Sequence, residues 1–91
     1  MSLLEEAQQI TRKRRDNYGG PQANFGRIAS MWETILGVPI SAEKVGLCMI
    51  AVKIARHLHV PHRDNLVDIA GYADCLDVLT RAKEGTSAQA D

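Results

Sequence analysis

Two sets of side chains in this sequence have types and spacings suited to chemistry. Lys53, Arg56 and His57 are spaced i, i+3, i+4, and Asp64, Asp68 and Tyr72 are spaced i, i+4, i+8, with Asn65 beside the first acid. On helices, each set shares a face. The segment between them is short, so the two helices should be antiparallel neighbours. That brings bases and acids together near one end of a bundle. Charges in such a place are costly unless they pair or bind something. Lys53 and Arg56 have the chemistry to take phosphates. Asp64 and Asp68 can hold a hard cation such as Mg²⁺ through oxygen ligands, or receive base and ribose hydroxyls. An inter-helix salt-bridge network accounts for the same pattern without any ligand.

The second set is Tyr18-Gly19-Gly20-Pro21-Gln22-Ala23-Asn24-Phe25 followed by Arg27. A rigid turn leads directly into a helix N-terminus, whose unpaired N–H groups and partial positive charge suit a phosphate. Tyr18 can stack on a base, Asn24 is close at hand, and Arg27 lies about one turn into the helix. Turn chemistry alone also explains these residues: Tyr18 and Phe25 packed, Asn24 capping, Arg27 solvated.

Other chemistry lacks support. The sequence has no GxxxxGK[ST] loop, CxxC pair or HExxH motif. No Ser or Cys has a base-bearing context. Cys48 and Cys75 fall within apolar helical stretches and read as buried thiols of a reduced protein. His57 and His59 point apart on a helix, and no cysteine lies near His62 to complete a zinc site.

Four helices are needed to position these residues, and the sequence punctuates them. Ser2 and Glu5 form a capping box for a first helix with Leu3, Ala7, Ile10 and Arg14 on one face. Acids begin it and Arg12 to Arg15 end it, matching the helix dipole. Gly19-Gly20-Pro21 stops it. A second helix is expected from about Gln22 to Leu36, with Phe25, Ile28, Ala29, Trp32 and Leu36 at helical spacing and Gly37 as C-cap. Ser41 caps a third, apolar nearly all round from Val45 to Val52 and therefore expected to be central and buried. His57 to His62 should be a loop or frayed end. The fourth helix is expected from about Asp64 to Lys83, with Leu66, Ile69, Ala70, Ala73 and Leu76 on one face. Asp77 and Arg81 pair on another. Gly85 is the expected stop, giving one domain over 1–85 and a disordered tail over 86–91. No stretch alternates with period two, so the fold class is all-α, a compact four-helix bundle with the last helix longest.

The 91 residues are 45% hydrophobic and 24% charged, as in a soluble single domain. That excludes disordered, collagen-like and disulfide-dense classes. No apolar run approaches the roughly 20 residues of a membrane span. The N-terminus carries acids where a secretion signal needs bases, so a cytoplasmic location is expected. Eleven basic residues balance eleven acidic ones, which weighs against nucleic-acid binding without excluding a local anion site. So small a core gains from further burial, and a homo-oligomer is expected.

The runs YGGPQANFGRIASMW, ISAEKVGLCMIAVKIARHLH and RDNLVDIAGYADCL resemble a family of small proteins of unknown function common in tailed phages and prophages. Its pattern is YGxPxxNFxRIAxxW, then I-[ST]-x-x-x-V, KIAR and DNxVDIAGYA, covering Tyr18 to Leu76. The resemblance implies a protein acting in the cytoplasm of an infected bacterium. A looser resemblance is to the all-α, MazG-like nucleotide pyrophosphohydrolases, whose Mg²⁺ ligands are ExxE on one helix and ExxD on the next. Asn65 and Asp68 fall at the ExxD spacing, with Asn in place of Glu. Lys53 and Arg56 stand where the first pair would be, and only Glu43 lies near. That departure removes carboxylates that Mg²⁺-triphosphate needs.

The leading expectation is therefore a binder of a nucleotide or nucleotide-derived signal, serving to tune pools or sequester a host immune messenger. Its ligand-binding residues would be Tyr18, Asn24, Arg27, Lys53, Arg56, His57, Asn65 and Tyr72. One alternative is Mg²⁺-dependent pyrophosphohydrolysis with Asp64 and Asp68 as metal ligands. Another is an interaction module for a host or phage protein, with Met31 and Trp32 as anchors.

Overall fold

The structure is a computed structural model. It describes the backbone of residues 1–90 and the side chains of 1–83. Among the described residues it holds four helices and no strand: α1 (Leu3–Tyr18), α2 (Pro21–Leu36), α3 (Ala42–His59) and α4 (Arg63–Ala90). α4 packs along both α3 and α1, and α2 lies against α3.

The helix starts follow local chemistry. Ser2 caps α1 by accepting from Glu5 N–H at 3.1 Å, and Ser41 caps α3 by accepting from Lys44 N–H at 3.2 Å. Each such cap satisfies an otherwise orphaned donor. α2 begins differently: Gly20 is its N-cap, with no side-chain bond, and Pro21 supplies the preset φ of a first turn. Two glycines with positive φ end helices, Gly19 at 86° and Gly37 at 73°. Their N–H groups return to Arg15 O and Glu33 O.

Two helix ends differ from expectation. α3 continues through His59, so His57 and His59 are helical and only the short link before Arg63 is not. Nothing in Arg56-His57-Leu58-His59 opposes a helix; Pro61 does, and it restricts the residue before it. α4 is 28 residues long and runs beyond Gly85. One helical glycine costs only about 1 kcal/mol relative to alanine, too little to stop a helix by itself. The tail expected at 86–91 lies outside the residues whose side chains are described.

The core is built on Phe25, Ala29, Val45, Tyr72 and Leu79, with Ile28, Trp32 and Leu76 packed against it. α4 turns Val67, Tyr72 and Leu79 inward rather than the Leu66–Ala73 face; Leu66 is 41% exposed. The phase is set by α1 and α3 flanking α4 on two sides, which a one-faced pattern does not capture. Gly46, buried on α3, lets the helices approach closely. A Cβ there would lie 2.7 Å from Leu76 Cδ2 and 3.3 Å from Phe25 Cε2.

The largest correction concerns α3. Only Val45 and Gly46 are buried; Leu47, Cys48, Ala51 and Val52 are exposed. An apolar run shows that a helix resists water, not which surface covers it. Cys48, expected inside, is exposed, and Cys75 is half-buried, its thiol pKa pushed up by burial and by Asp74.

Lys53 Nζ meets Asp68 Oδ2 at 2.8 Å, with both side chains mostly buried (14% and 18% exposed). This α3–α4 contact is the acid–base juxtaposition expected from the sequence. Removing either partner strands the other charge, whereas replacing both removes the desolvation cost along with the attraction. Lys53→Met and Asp68→Leu should each cost about 2–3 kcal/mol. The double variant should lie well above the sum of the two losses. Urea unfolding of all four proteins measures this coupling, and strictly additive losses would refute it. On the surface, Arg81 pairs with Asp77 at 3.1 Å, as its spacing suggests.

Candidate functional site

α1, α2 and α4 line a shallow, open-mouthed cleft with a cavity volume of about 40 Å³. That is well below the roughly 300–1,000 Å³ typical of preformed small-molecule sites, so a larger ligand would lie across the open mouth of the cleft. Its floor is apolar: Phe25, Val67 and the ring of Tyr72. The Phe25 and Tyr72 rings lie 6.0 Å apart, tilted by 36°. Its polar groups come from three helices: Thr11, Arg14 and Arg15 from α1, Asn24 from α2, Asp68 from α4.

Each group is placed for a local reason. Arg14 lies one helical turn beyond Ile10 and two beyond Ala7, so it projects from the face of α1 that meets α4. Its Nη1 donates to Tyr72 Oη at 3.3 Å, and its guanidinium carbon sits 5.5 Å from the Tyr72 ring centroid. The bond to Tyr72 holds the Arg14 pKa above its ordinary value against the opposing effect of burial. The guanidinium thus remains a fixed cation. Tyr72 accepts from Arg14 and retains its own hydroxyl proton for an acceptor, since no described residue takes it. Thr11, buried, donates to Ala7 O at 2.8 Å and keeps its acceptor capacity. Asn24 makes no side-chain hydrogen bond to a described residue. Asp68 spends Oδ2 on Lys53.

The first turn of α2 opens beside these groups, with Gly19 and Pro21 on the cleft wall. The corner is fastened by Arg27, whose Nη2 donates to Tyr18 O at 2.6 Å. Arg27 therefore shapes the turn instead of reaching a ligand. Tyr18 is 58% exposed and outside the cleft.

The structure thus brings Asn24, Asp68 and Tyr72 together, with Lys53 held against Asp68. Arg56, His57, Asn65 and Asp64 lie outside the cleft lining. His57 Nδ1 accepts from His62 N–H at 3.1 Å, closing the α3–α4 link. Asp64 is exposed, 3.7 Å from His62 Nδ1. That nitrogen already accepts from Asp64 N–H, so the contact is a turn feature more than an ion pair. As metal ligands, Asp64 and Asp68 do not fit: one faces solvent and the other carries an ammonium where a cation would sit. Among the described residues, no three His, Cys, Asp or Glu side chains are grouped to hold a metal ion. The sequence reading missed Arg14 and Arg15 as site residues. The available signal was a cation at the end of the apolar line Leu3, Ala7, Ile10, directed inward instead of out.

No described helix is long and apolar enough to cross a membrane. No solved structure matches the chain. Gene 55 protein of Mycobacterium phage D29 is 41% identical over 93 residues, covering 99% of this chain and 62% of that protein. Gene 55 protein of Mycobacterium phage L5 is 41% identical over 82 residues, covering 87% of this chain and 53% of that protein. The chain thus spans between half and two thirds of these relatives. Residues 2–80 match the model of the family described as "Domain of unknown function (DUF6378)". With that match over most of its length and relatives in two mycobacterial phages, the chain belongs to the DUF6378 family.

Proposed function

We propose that this protein binds a phosphate-bearing nucleotide or nucleotide-derived signal in the α1/α2/α4 cleft. The observation that carries the reading is the exposed Arg14 guanidinium held on the buried Tyr72 beside Phe25, at the opening of α2. An apolar, aromatic floor suits the face of a base, and a guanidinium held on Tyr72 beside a helix N-terminus suits a phosphate. Arg15 adds a second cation at the mouth. Asn24 and Asp68 supply an amide and a carboxylate for the polar edge of a base or for ribose hydroxyls. Arg14 and Arg15 take the phosphate role that the sequence suggested for Lys53 and Arg56. The biological use of such binding would be control of nucleotide pools or sequestration of a host messenger.

The test is incubation of the purified chain with nucleoside triphosphates, deoxynucleotides, cyclic nucleotides and ADP-ribose derivatives. The free pool and the pool released by heat are then analysed by chromatography. Binding predicts depletion of one species and its intact recovery on heating. Release of pyrophosphate and monophosphate would mean hydrolysis instead, and no depletion across the panel would reject the nucleotide reading. With the ligand in hand, Arg14→Ala should weaken binding about 10- to 100-fold, the loss of one charge-assisted hydrogen bond. Arg56→Ala should leave it unchanged. Titration calorimetry measures both, with circular dichroism as the check on folding.

A further inference from the structure

We infer that the outward face of α3 is the seam of a homodimer, with the α3 helices of two copies laid antiparallel. Leu47, Ala51, Ile54 and Leu58 follow one another at steps of four, three and four residues, a single line along a helix. Leu47 is 58% exposed, Ile54 47% and Leu58 81%. Cys48, Val52 and Ala55 widen the strip and are exposed too. Only two lysines or arginines, and no acid, fall in this stretch. Lys53 is turned inward onto Asp68. Arg56, two positions after Ile54, projects from nearly the opposite side of the helix. The face is thus uncharged over three turns, which soluble monomers seldom leave bare.

Three observations select a second copy as the occupant. The first is size. In an antiparallel pair, Leu47 meets the partner's Leu58, and Ile54 fills the space over the partner's Ala51. The second is charge. Glu43 lies in the first turn of α3, and Arg56, His57 and His59 lie in its last. Antiparallel packing sets each Glu43 near the partner's basic end and brings Lys44 toward the partner's exposed Asp64. It also opposes the helix dipoles, whereas parallel packing stacks like ends. The third is area. The strip exposes on the order of 400 Å² of apolar surface. With a polar rim, that approaches the ~800 Å² per partner of a standard interface. No α3 residue lines the cleft, so this inference is independent of the nucleotide reading.

Sedimentation equilibrium of the full chain tests it. The expected mass is twice the 10.0 kDa of one chain. Ala51→Glu and, separately, Leu58→Lys should return it to one chain with helix content unchanged by circular dichroism, since both positions are exposed. In a Cys48→Ser background, the pair Ala51→Cys and Ile54→Cys, which the antiparallel register sets opposite each other, should cross-link between copies on oxidation, while the unaltered Cys48 should not. A single-chain mass for the unaltered protein overturns the proposal, as does an assembly indifferent to both charged variants. Efficient cross-linking through Cys48 overturns the antiparallel arrangement, because that is the parallel result.

Discussion

Phe25→Ala should cost this protein about 3–5 kcal/mol, the range for deleting a buried phenylalanine ring. The ring is 4% exposed and packs among Ala29, Val45, Tyr72 and Leu79. Nothing nearby can collapse into the space cheaply: α3 is already held close at Gly46, and Tyr72 is tethered by Arg14. For a domain this small, each 1 kcal/mol lowers Tm by roughly 4–8 °C. A fall of at least about 12 °C is therefore expected. Urea unfolding followed through the single tryptophan, Trp32, gives the free energy directly. Trp32 packs against the same core, so its emission reports the loss of that core. A loss below about 1 kcal/mol would mean that Phe25 does not occupy the centre described here.

Gly46→Val should be nearly as damaging, at about 3 kcal/mol. Two effects oppose each other at this position. Any side chain relieves the entropic penalty of a helical glycine, worth about 1 kcal/mol for alanine. Against this, the new Cβ meets Leu76 on one side and the Phe25 ring on another. The Leu76 methyl can rotate away, but its Cγ lies only 3.1 Å from the same point, so the whole side chain must move. Alanine should therefore lose about 1 kcal/mol net, and valine, branched at the crowded atom, about three times that. Leu76→Ala makes room. Combined with Gly46→Val, it should lose less than the sum of the two single variants. Additive losses in urea unfolding would show that the two side chains do not contend for one space.

How far the sequence reaches depends on whether a feature is local. Ser2, Ser41, Gly19 and Gly37 terminate helices where they were expected to, because capping involves only a few consecutive residues. The Lys53–Asp68 contact was also legible, since a short link after α3 forces α4 to return alongside it. Arg14 and Tyr72 are 58 residues apart, and no local rule joins them. The burial of α3 was misjudged for a different reason. Apolar periodicity identifies a face that avoids water, and a face covered by another copy leaves the same imprint as one covered by the fold. Asp64 and Asp68 share a helical face in principle. Asp64, however, sits in the first turn of α4, open to solvent, and only Asp68 is deep enough to meet α3. The role of Gly46 was hidden because sequence shows a missing side chain without showing what stands in its place.

Phe25 and Tyr72 belong to the core and to the cleft floor at once. Drift at either position is therefore judged by two criteria, and a change that improves the fit of a new ligand must first preserve the fold. Buried Thr11 and Lys53-bound Asp68 are constrained by the fold as well; Asn24 and Arg15 at the cleft walls carry less of that double constraint. If members of the family have diverged in what they bind, variation at those wall positions is the route least opposed by folding. The aromatic pair beneath them would stay put, a shared foundation for different specificities.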